Sequence, residues 1–471
     1  MAENYNFKKI VNSTFLLIIS QLVVQSLSLL RNAIYGHYLL PADFGVAAIF
    51  TMTIAAVGMA GDMGADKLLI QAKDGNNTDL QKTIHFYNAA RGVIGAVILI
   101  LASPYIIASF SLEGAENAFY IIALVVFIKG FVHLDIKRFQ RNLNFSPYII
   151  TEIIPQIVAV SLAYPLIIYF HNYYAVTYLI IIHALFYVLV SHLCSKRVYK
   201  IQFNSTSFNR IFCFGWPLIL NSILMYLILQ GDKLIIGANY DISVLGYYSA
   251  AFMITMIPAL LIIKVLRSVI FPLLTVRQDD FRSLTEYYNI STNIVFLIVI
   301  IFSSTFIFFG NHIITFIFGT QYQGLDKLIS ILAIMWSIRI IRVPSTLIAM
   351  SKADTKVALV ANLFRSIAVL GVLFFAINKY PVEMIAFCGV AGEILASLIS
   401  IWQIKYKFKI KATSFIIRII TLLLFFSVVY FFEFDLKIRI IMFVFLCLIV
   451  LLYKILIVID SRLHSQCNGV N

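Results

Sequence analysis

The sequence predicts an all-α polytopic membrane protein of about fourteen transmembrane helices, and three observations support that fold class. Hydrophobic residues make up 61% of the 471 residues and charged residues only 12%, with a mean hydropathy of +0.93. The apolar residues form segments of spanning length, and the basic residues fall mainly on one side of those segments. A soluble domain has roughly 25% charged residues and could not bury this much apolar surface, so lipid is the expected solvent.

A helix needs about 20 predominantly apolar residues to cross a bilayer. Segments of this kind lie near residues 11–31, 43–63, 84–106, 118–135, 148–169, 176–195, 212–232, 244–266, 290–310, 328–347, 356–377, 382–403, 413–432 and 438–457. The connections between them are short, so we expect no inserted soluble domain. The first segment lacks the small-residue cleavage site of a signal peptide, and we expect it to be retained as a helix.

The distribution of Lys and Arg predicts that both termini are cytoplasmic. With the N-terminus inside, 27 of the 36 basic residues fall in cytoplasmic segments, six in outer segments and three within spans. Because basic residues concentrate in cytoplasmic loops, this bias sets the orientation and explains most of the formal net charge of +14. The basic loops are therefore expected to contact anionic lipid rather than nucleic acid.

An internal repeat divides the predicted helices into two related halves. A shift of 201 residues aligns two glycine pairs in one register, Gly36 and Gly45 with Gly237 and Gly246. Six spans separate equivalent helices, and an even number preserves orientation, so the halves are parallel repeats. We expect one six-helix lobe over 1–200, a second over 201–404, and two extra helices with a short cytoplasmic tail over 405–471. The glycines would allow a tight outer hairpin in each half.

Several short segments resemble one family of membrane transporters. They are Arg31-x4-Gly36 followed by LLPADFG at 39–45, GDMGADKLLIQ at 61–71, KRFQRNLNF at 137–145, FGWPLILNS…GDKLIIG…LGYYSAAF between 214 and 252, and FPLLT at 271–275. Together with the helix count and the repeat, they resemble the polysaccharide transporter family of lipid-linked oligosaccharide flippases, the Wzx type. That family belongs to a superfamily shared with MATE-like multidrug exporters and lipid II flippases.

The resemblance implies a V-shaped pair of six-helix lobes around a central cavity that opens alternately to each side of the membrane. The implied substrate is an undecaprenyl-pyrophosphate-linked sugar repeat unit, moved across the bacterial inner membrane for O-antigen, capsule or exopolysaccharide synthesis. Besides this lipid-linked oligosaccharide and membrane lipid, a polysaccharide polymerase and chain-length machinery are candidate partners. We expect no cofactor and no metal, because the five cysteines show no metal-ligand spacing. The sequence also lacks a G-x4-G-K-[ST] phosphate loop, and we expect no enzymatic activity.

Charged residues within or beside the spans are the candidate functional residues, because such charges are costly in a membrane. A flippase needs cations for the phosphates of its passenger and a hydrated groove for the sugar hydroxyls. The candidate substrate-binding cations are Arg31, Arg91, Lys129, Lys233, Arg339 and Arg365. The candidate carboxylates for ion coupling are Asp62, Glu152, Asp232 and Glu393.

Several of these residues have an alternative structural interpretation. Three of the cations, Arg31, Lys233 and Arg339, could instead extend their side chains to the membrane interface and bind no substrate. Lys129 and His133 are four residues apart, which predicts a shared helix face and a local polar cluster. Glu393 lies in the middle of a predicted span and could face Arg365 on the neighbouring helix.

Three other functions are weighed against the flippase. A cation-coupled multidrug exporter of the same superfamily would use acidic residues in its first helices, and the first predicted span has none. A lipid II flippase would share the requirement for an anionic passenger, so the residues alone do not separate it. A polysaccharide polymerase or ligase would need a large outer catalytic loop, and the longest outer loop here has fewer than about 20 residues.

Overall fold

The computed structural model describes residues 7–72, 74–354, 356–410, 418–424, 426–427 and 439–444. Within these residues the chain is helical and contains no strand, as the composition predicts. The chain folds as two compact units. Unit 1 contains residues 1–250, 316–322 and 372–380, and unit 2 contains 251–315, 323–371 and 381–471. The division into residues 1–200, 201–404 and 405–471, which the repeat predicts, stays a prediction.

Unit 1 is built mainly from the first nine helices. They are α1 (Phe7–Tyr38), α2 (Pro41–Ala60), α3 (Ala65–Gln71), α4 (Thr78–Ser109), α5 (Glu116–Lys129), α6 (Asp135–Arg141), α7 (Ser146–Phe170), α8 (Tyr174–Leu193) and α9 (Ser205–Asn239). Helix α7 packs against α1 and α8, α5 packs against α4 and α8, and α2 packs against α9. These contacts gather the inner faces of α2, α4, α5, α7 and α8 around one interior region.

The later helices provide most of unit 2. They are α10 (Ile242–Val276), which begins in unit 1, then α11 (Phe281–Phe318), α12 (Asp326–Ile341), α13 (Val343–Ser351), α14 (Lys356–Ser366), α15 (Ala368–Ile377) and α16 (Val382–Phe408). Helix α16 packs against α12, α13 and α14. Helix α12 is almost entirely buried, because it is surrounded by other helices rather than by lipid. Its polar side chains therefore need partners inside the protein.

Eleven helices in the described residues are long and apolar enough to cross a membrane. They correspond to the first twelve predicted spans, except the fourth. The predicted spans at 413–432 and 438–457 lie largely outside the described residues, so the total of about fourteen stays a prediction.

The predicted fourth span, 118–135, is wrong in its C-terminal part, because helix α5 ends at Lys129. The amides of Gly130 and Phe131 still donate to helix carbonyls, but side chains accept the amides of His133 and Leu134. The amide of His133 donates to Ser191 Oγ at 3.0 Å, and the amide of Leu134 donates to His85 Nε2 at 3.1 Å. The prediction that Lys129 and His133 share a helix face is therefore wrong as well.

The repeated glycines allow a close backbone crossing within unit 1. A Cβ atom on Gly45 would lie 2.1 Å from the carbonyl oxygen of Ile242, and one on Gly246 would lie 1.9 Å from that of Pro41. Both pairs of equivalent residues are 201 positions apart, so the contact is reciprocal and follows the predicted repeat. The predicted hairpins are confirmed, since two residues connect α1 to α2 and two connect α9 to α10.

Replacing Gly246 with alanine is expected to destabilise the protein by about 1–3 kcal/mol or more, because the added methyl would overlap backbone that cannot move away. Thermal unfolding of the purified protein in detergent would measure the effect. Gly58→Ala is the matched control, because a Cβ at this position meets no atom within 4 Å. Equal unfolding temperatures for the two variants would contradict the close crossing.

Candidate functional site

A polar cavity of about 570 Å³ lies inside unit 1. Its walls come from the seven helices α2 to α8 and from the connections between α2 and α3 and between α5 and α6. Four of the residues predicted from the sequence line it together, Asp62, Arg91, Lys129 and Glu152. These residues come from different segments of the chain, so only the packing of the helices brings them to one cavity.

Seven further polar side chains, outside the set predicted from the sequence, also line the cavity. They are Asp66, Lys67, Tyr87, Asn88, Lys137, His183 and Tyr187. The two segments that support the family resemblance, at 61–71 and 137–145, contain three of them. Those short motifs were therefore the available signal, whereas nothing local distinguishes the two tyrosines and His183 from other residues in apolar helices.

A tight turn between α2 and α3 arranges one wall of the cavity. The carboxylate of Asp62 accepts a hydrogen bond from the Gly64 amide at 2.9 Å. Gly64 has a left-handed backbone with φ of 59°, which glycine adopts without strain. The carbonyl of Gly61 accepts hydrogen bonds from Tyr87 Oη and, at 3.3 Å, from Arg91 Nη1. The turn thus fixes one carboxylate and one guanidinium at the edge of the same space.

Three of the four basic residues that line the cavity form no ion pair among the described residues. Lys137 forms an ion pair with Asp66 at 3.3 Å. By contrast, Lys67, Arg91 and Lys129 take part in no ion pair among the described residues. The side chain of Lys129 is accessible within the cavity, at the C-terminal end of α5, where the helix dipole favours a cation. The cavity therefore offers positive charge to a ligand.

The opposite wall contains a tyrosine bound to a carboxylate. Tyr187 Oη donates to Glu152 Oε1 at 3.3 Å, which joins α8 to α7. The aromatic rings of Tyr87 and Tyr187 and the amide of Asn88 also face this space. Flat rings beside hydrogen-bonding groups suit sugars, whose faces are apolar and whose edges carry hydroxyl groups. The arrangement can accept a ligand that is both anionic and rich in hydroxyls.

A second charged cluster lies in the interior of unit 2. Glu393 on α16 is fully buried. Its carboxylate lies 2.8 Å from Arg365 Nε on α14, 3.5 Å from Arg342 Nη2 and 3.8 Å from Arg339 Nε on α12. The guanidinium of Arg339 also lies over the ring of Trp336, 4.9 Å from its centroid. Three arginines thus surround one carboxylate and leave the cluster positively charged.

The cluster in unit 2 joins the predicted residues Arg339, Arg365 and Glu393 with Arg342, which the sequence analysis did not select. Gly392 allows the approach of α16 to α14, since a Cβ there would lie 3.1 Å from the Arg365 carbonyl oxygen. Breaking a buried ion pair by removing one partner typically costs about 3–5 kcal/mol. These ion pairs connect α12, α14 and α16, while the predicted roles of Arg339 and Arg365 in substrate binding and of Glu393 in ion coupling stay predictions.

The remaining predicted residues are outside the cavity of unit 1. Arg31 Nη1 donates to Gln156 Oε1 at 3.4 Å and its guanidinium lies 5.9 Å from the Tyr35 ring centroid. The carboxylate of Asp232 accepts hydrogen bonds from the Tyr248 hydroxyl and from the backbone amide of Lys233. Within the described residues these side chains are not among those lining the 570 Å³ space. The predicted roles of Arg31 and Lys233 in substrate binding and of Asp232 in ion coupling stay predictions.

Comparison with known proteins relates the chain to polysaccharide biosynthesis. A family model described as "Polysaccharide biosynthesis protein" matches residues 37–327. The teichuronic acid biosynthesis protein TuaB of Bacillus subtilis (strain 168) is 21% identical over 418 residues, covering 84% of this chain and 82% of TuaB. The lipopolysaccharide biosynthesis protein WzxC of Escherichia coli (strain K12) is 20% identical over 356 residues, covering 74% of this chain and 71% of WzxC.

Two solved structures have the same fold. An inward closed conformation of the lipid II flippase MurJ aligns with a TM-score of 0.73 at 17% identity, over 94% of this chain and all of that chain. An inward-facing multidrug resistance transporter of the MATE family aligns with a TM-score of 0.68 at 14% identity, over 84% of this chain and 99% of that chain. At these identities the similarity defines the fold and not the substrate.

Proposed function

Because the chain belongs to the polysaccharide biosynthesis protein family, we propose that it is a flippase for undecaprenyl-pyrophosphate-linked oligosaccharide repeat units. It moves these units from the cytoplasmic to the outer leaflet of the bacterial inner membrane for surface polysaccharide synthesis. Both termini face the cytoplasm, as the bias of 27 of the 36 basic residues supports. A polysaccharide polymerase and chain-length machinery act on the delivered units.

The observation that best supports this proposal is a polar cavity inside an apolar helical unit, in which Lys67, Arg91 and Lys129 form no ion pair among the described residues. Burying a polar group without a partner costs about 1–3 kcal/mol, and burying a charge costs far more. The interior of a membrane protein is therefore expected to keep such groups only where a ligand uses them. Lys129 and Arg91 have the charge that a pyrophosphate requires, and they reach the cavity from separate helices.

The other lining groups suit the sugar part of the passenger. Tyr87 and Tyr187 offer ring faces, and Asn88 offers a donor and an acceptor for hydroxyl groups. The polyprenyl chain needs no protein site of this kind, because it is soluble in the lipid beside the protein. Asp62 and Glu152 are the carboxylates placed to exchange a coupling ion with the same cavity.

Two related functions remain as alternatives. A multidrug exporter that takes cationic compounds would need an excess of carboxylates in its cavity, and here four basic residues and three acidic ones line it. A lipid II flippase would use the same cations, since lipid II also has a pyrophosphate and sugars. The passengers of the two flippases differ in their sugars, so accumulation of the stranded intermediate distinguishes them.

Deletion of the gene in its host should abolish the surface polysaccharide and leave undecaprenyl-linked repeat units on the cytoplasmic leaflet. Surface polysaccharide is measured by immunoblotting, and the lipid-linked intermediates are measured by mass spectrometry together with a leaflet-accessibility assay. Expression of the wild-type chain from a plasmid should restore the polymer. Accumulation of lipid II would favour the second flippase, and unchanged polymer with altered drug tolerance would favour the exporter.

A further inference from the structure

A second pocket in unit 1, of about 310 Å³, shares no lining residue with the polar cavity. It lies between the first two turns of α4 and the extended segment that follows α8. Its lining residues are Thr78, Gln81, Lys82, His85, Arg197, Val198 and Lys200. Three of these seven residues are basic, and the proposed transport cavity does not need them.

Hydrogen bonds hold the extended segment firmly against α4. The guanidinium of Arg197 donates to Gln81 Oε1 and to the Asn76 carbonyl, both at 2.8 Å. The imidazole of His85 donates from Nδ1 to the Lys200 carbonyl at 3.1 Å, and its Nε2 accepts the Leu134 amide described above. Both ends of the pocket wall are therefore fixed, so the pocket is formed before any ligand arrives.

The positive charge of the pocket is only partly balanced by protein groups. Lys82 forms an ion pair with Asp79 at 2.9 Å. The ammonium group of Lys200 is exposed and has no ion pair in the described part of the chain. Thr78 adds a hydroxyl group at the N-terminal turn of α4, where the helix dipole favours an anion.

Exposed apolar side chains border the basic pocket. Val198 is 78% exposed and Phe203 is 54% exposed, and Ile201 between them is also exposed. The ring of Phe203 is held by Phe86, with ring centroids 5.3 Å apart. The pocket lies beside the ends of two helices that are long and apolar enough to cross a membrane, α8 at Leu193 and α4 at Thr78, so we expect it near the boundary between hydrocarbon and water.

We propose that this pocket binds the phosphate of an anionic phospholipid such as phosphatidylglycerol, with the acyl chains lying over the apolar border. Cations at the end of a span attract anionic lipid by about 1 kcal/mol each. A free phosphate would use the same cations but would gain nothing from the exposed Val198, Ile201 and Phe203. The combination of a fixed basic pocket and an exposed apolar border therefore favours a lipid.

The test compares lipid retention by the full-length protein purified in detergent. Native mass spectrometry counts the phosphatidylglycerol and phosphatidylcholine molecules retained from an equimolar mixture. We expect selective retention of phosphatidylglycerol by the wild type, about thirtyfold weaker affinity in Lys82→Gln/Lys200→Gln, and normal affinity in Lys82→Arg/Lys200→Arg. The charge-matched control is Lys356→Gln/Lys405→Gln, which removes two exposed lysines from unit 2.

Three outcomes would overturn the proposal. One is equal loss in the control variant, which would indicate non-specific electrostatic attraction. Another is displacement of the lipid by inorganic phosphate at low millimolar concentration, which would indicate a free phosphate site. If the double glutamine variant does not fold, a photoreactive phosphatidylglycerol is used with the wild type. Labelling within residues 196–203, suppressed by unlabelled phosphatidylglycerol, supports the site, and absence of labelling there rejects it.

Discussion

Replacing Lys129 with alanine is expected to reduce transport about ten- to a hundredfold while leaving the protein folded, since hydrogen bonds to charged groups contribute about 1.5–3 kcal/mol. Lys129 is accessible in the cavity and forms none of the ion pairs among the described residues, so its removal breaks no ion pair. The loss should therefore appear in transport and not in stability. Lys129→Arg should retain much of the activity, because it keeps the charge.

The measurement is complementation of the deletion strain, with surface polysaccharide and membrane-inserted protein quantified together. Transport of a fluorescent lipid-linked saccharide in proteoliposomes gives the rate directly. Lys356→Ala is the matched control, because it removes an exposed lysine of unit 2. Wild-type export from Lys129→Ala at normal protein level would exclude this residue from the binding site.

Replacing Glu393 with glutamine is expected to destabilise the protein by about 3–5 kcal/mol, because it leaves a buried group of like charges uncompensated. The carboxylate is fully buried between Arg339 and Arg342 at the end of α12 and Arg365 on α14. Without it, mutual repulsion of the arginines should separate α12 and α14 from α16. We expect a lower unfolding temperature and a smaller yield of monodisperse protein.

The matched control for this variant is Glu383→Gln on the same helix. Glu383 lies in the first turn of α16 and is in none of the ion pairs between described residues, so its change should cost no more than about 0.5 kcal/mol. The double variant Glu393→Gln/Arg365→Gln restores the charge of the cluster to its wild-type value. It should therefore be more stable than the sum of the two single changes predicts.

A Glu393→Gln variant that is stable but inactive would assign Glu393 a different role. If Glu393→Gln unfolds at the wild-type temperature but exports no polysaccharide, the carboxylate takes part in ion coupling rather than in holding helices together. If it is both stable and active, neither role holds. Measuring unfolding and export on the same preparation separates these results.

The sequence by itself determined the features that depend on length, composition and chain order. Apolar segments of about 20 residues predict spanning helices because every backbone group must be hydrogen-bonded within the segment in lipid. The 201-residue repeat predicted the paired hairpins. The same offset relates the contact of Gly45 with the Ile242 carbonyl to the contact of Gly246 with the Pro41 carbonyl. The short family-like motifs pointed to polysaccharide export, and they contain Asp62, Asp66 and Lys137 of the cavity.

Only the tertiary structure decided which charged residues share a site. Lys129 and Glu152 line one cavity, whereas Arg31 lies outside it. The sequence also did not show that α5 ends at Lys129. Side chains far away in the chain, those of Ser191 and His85, accept the amides of His133 and Leu134 beyond the helix end. In a soluble helix the apolar stripe shows which face points inward. These helices are apolar on every side, so the rotation of each helix about its axis is set by packing against its neighbours and leaves no periodic signal in the sequence.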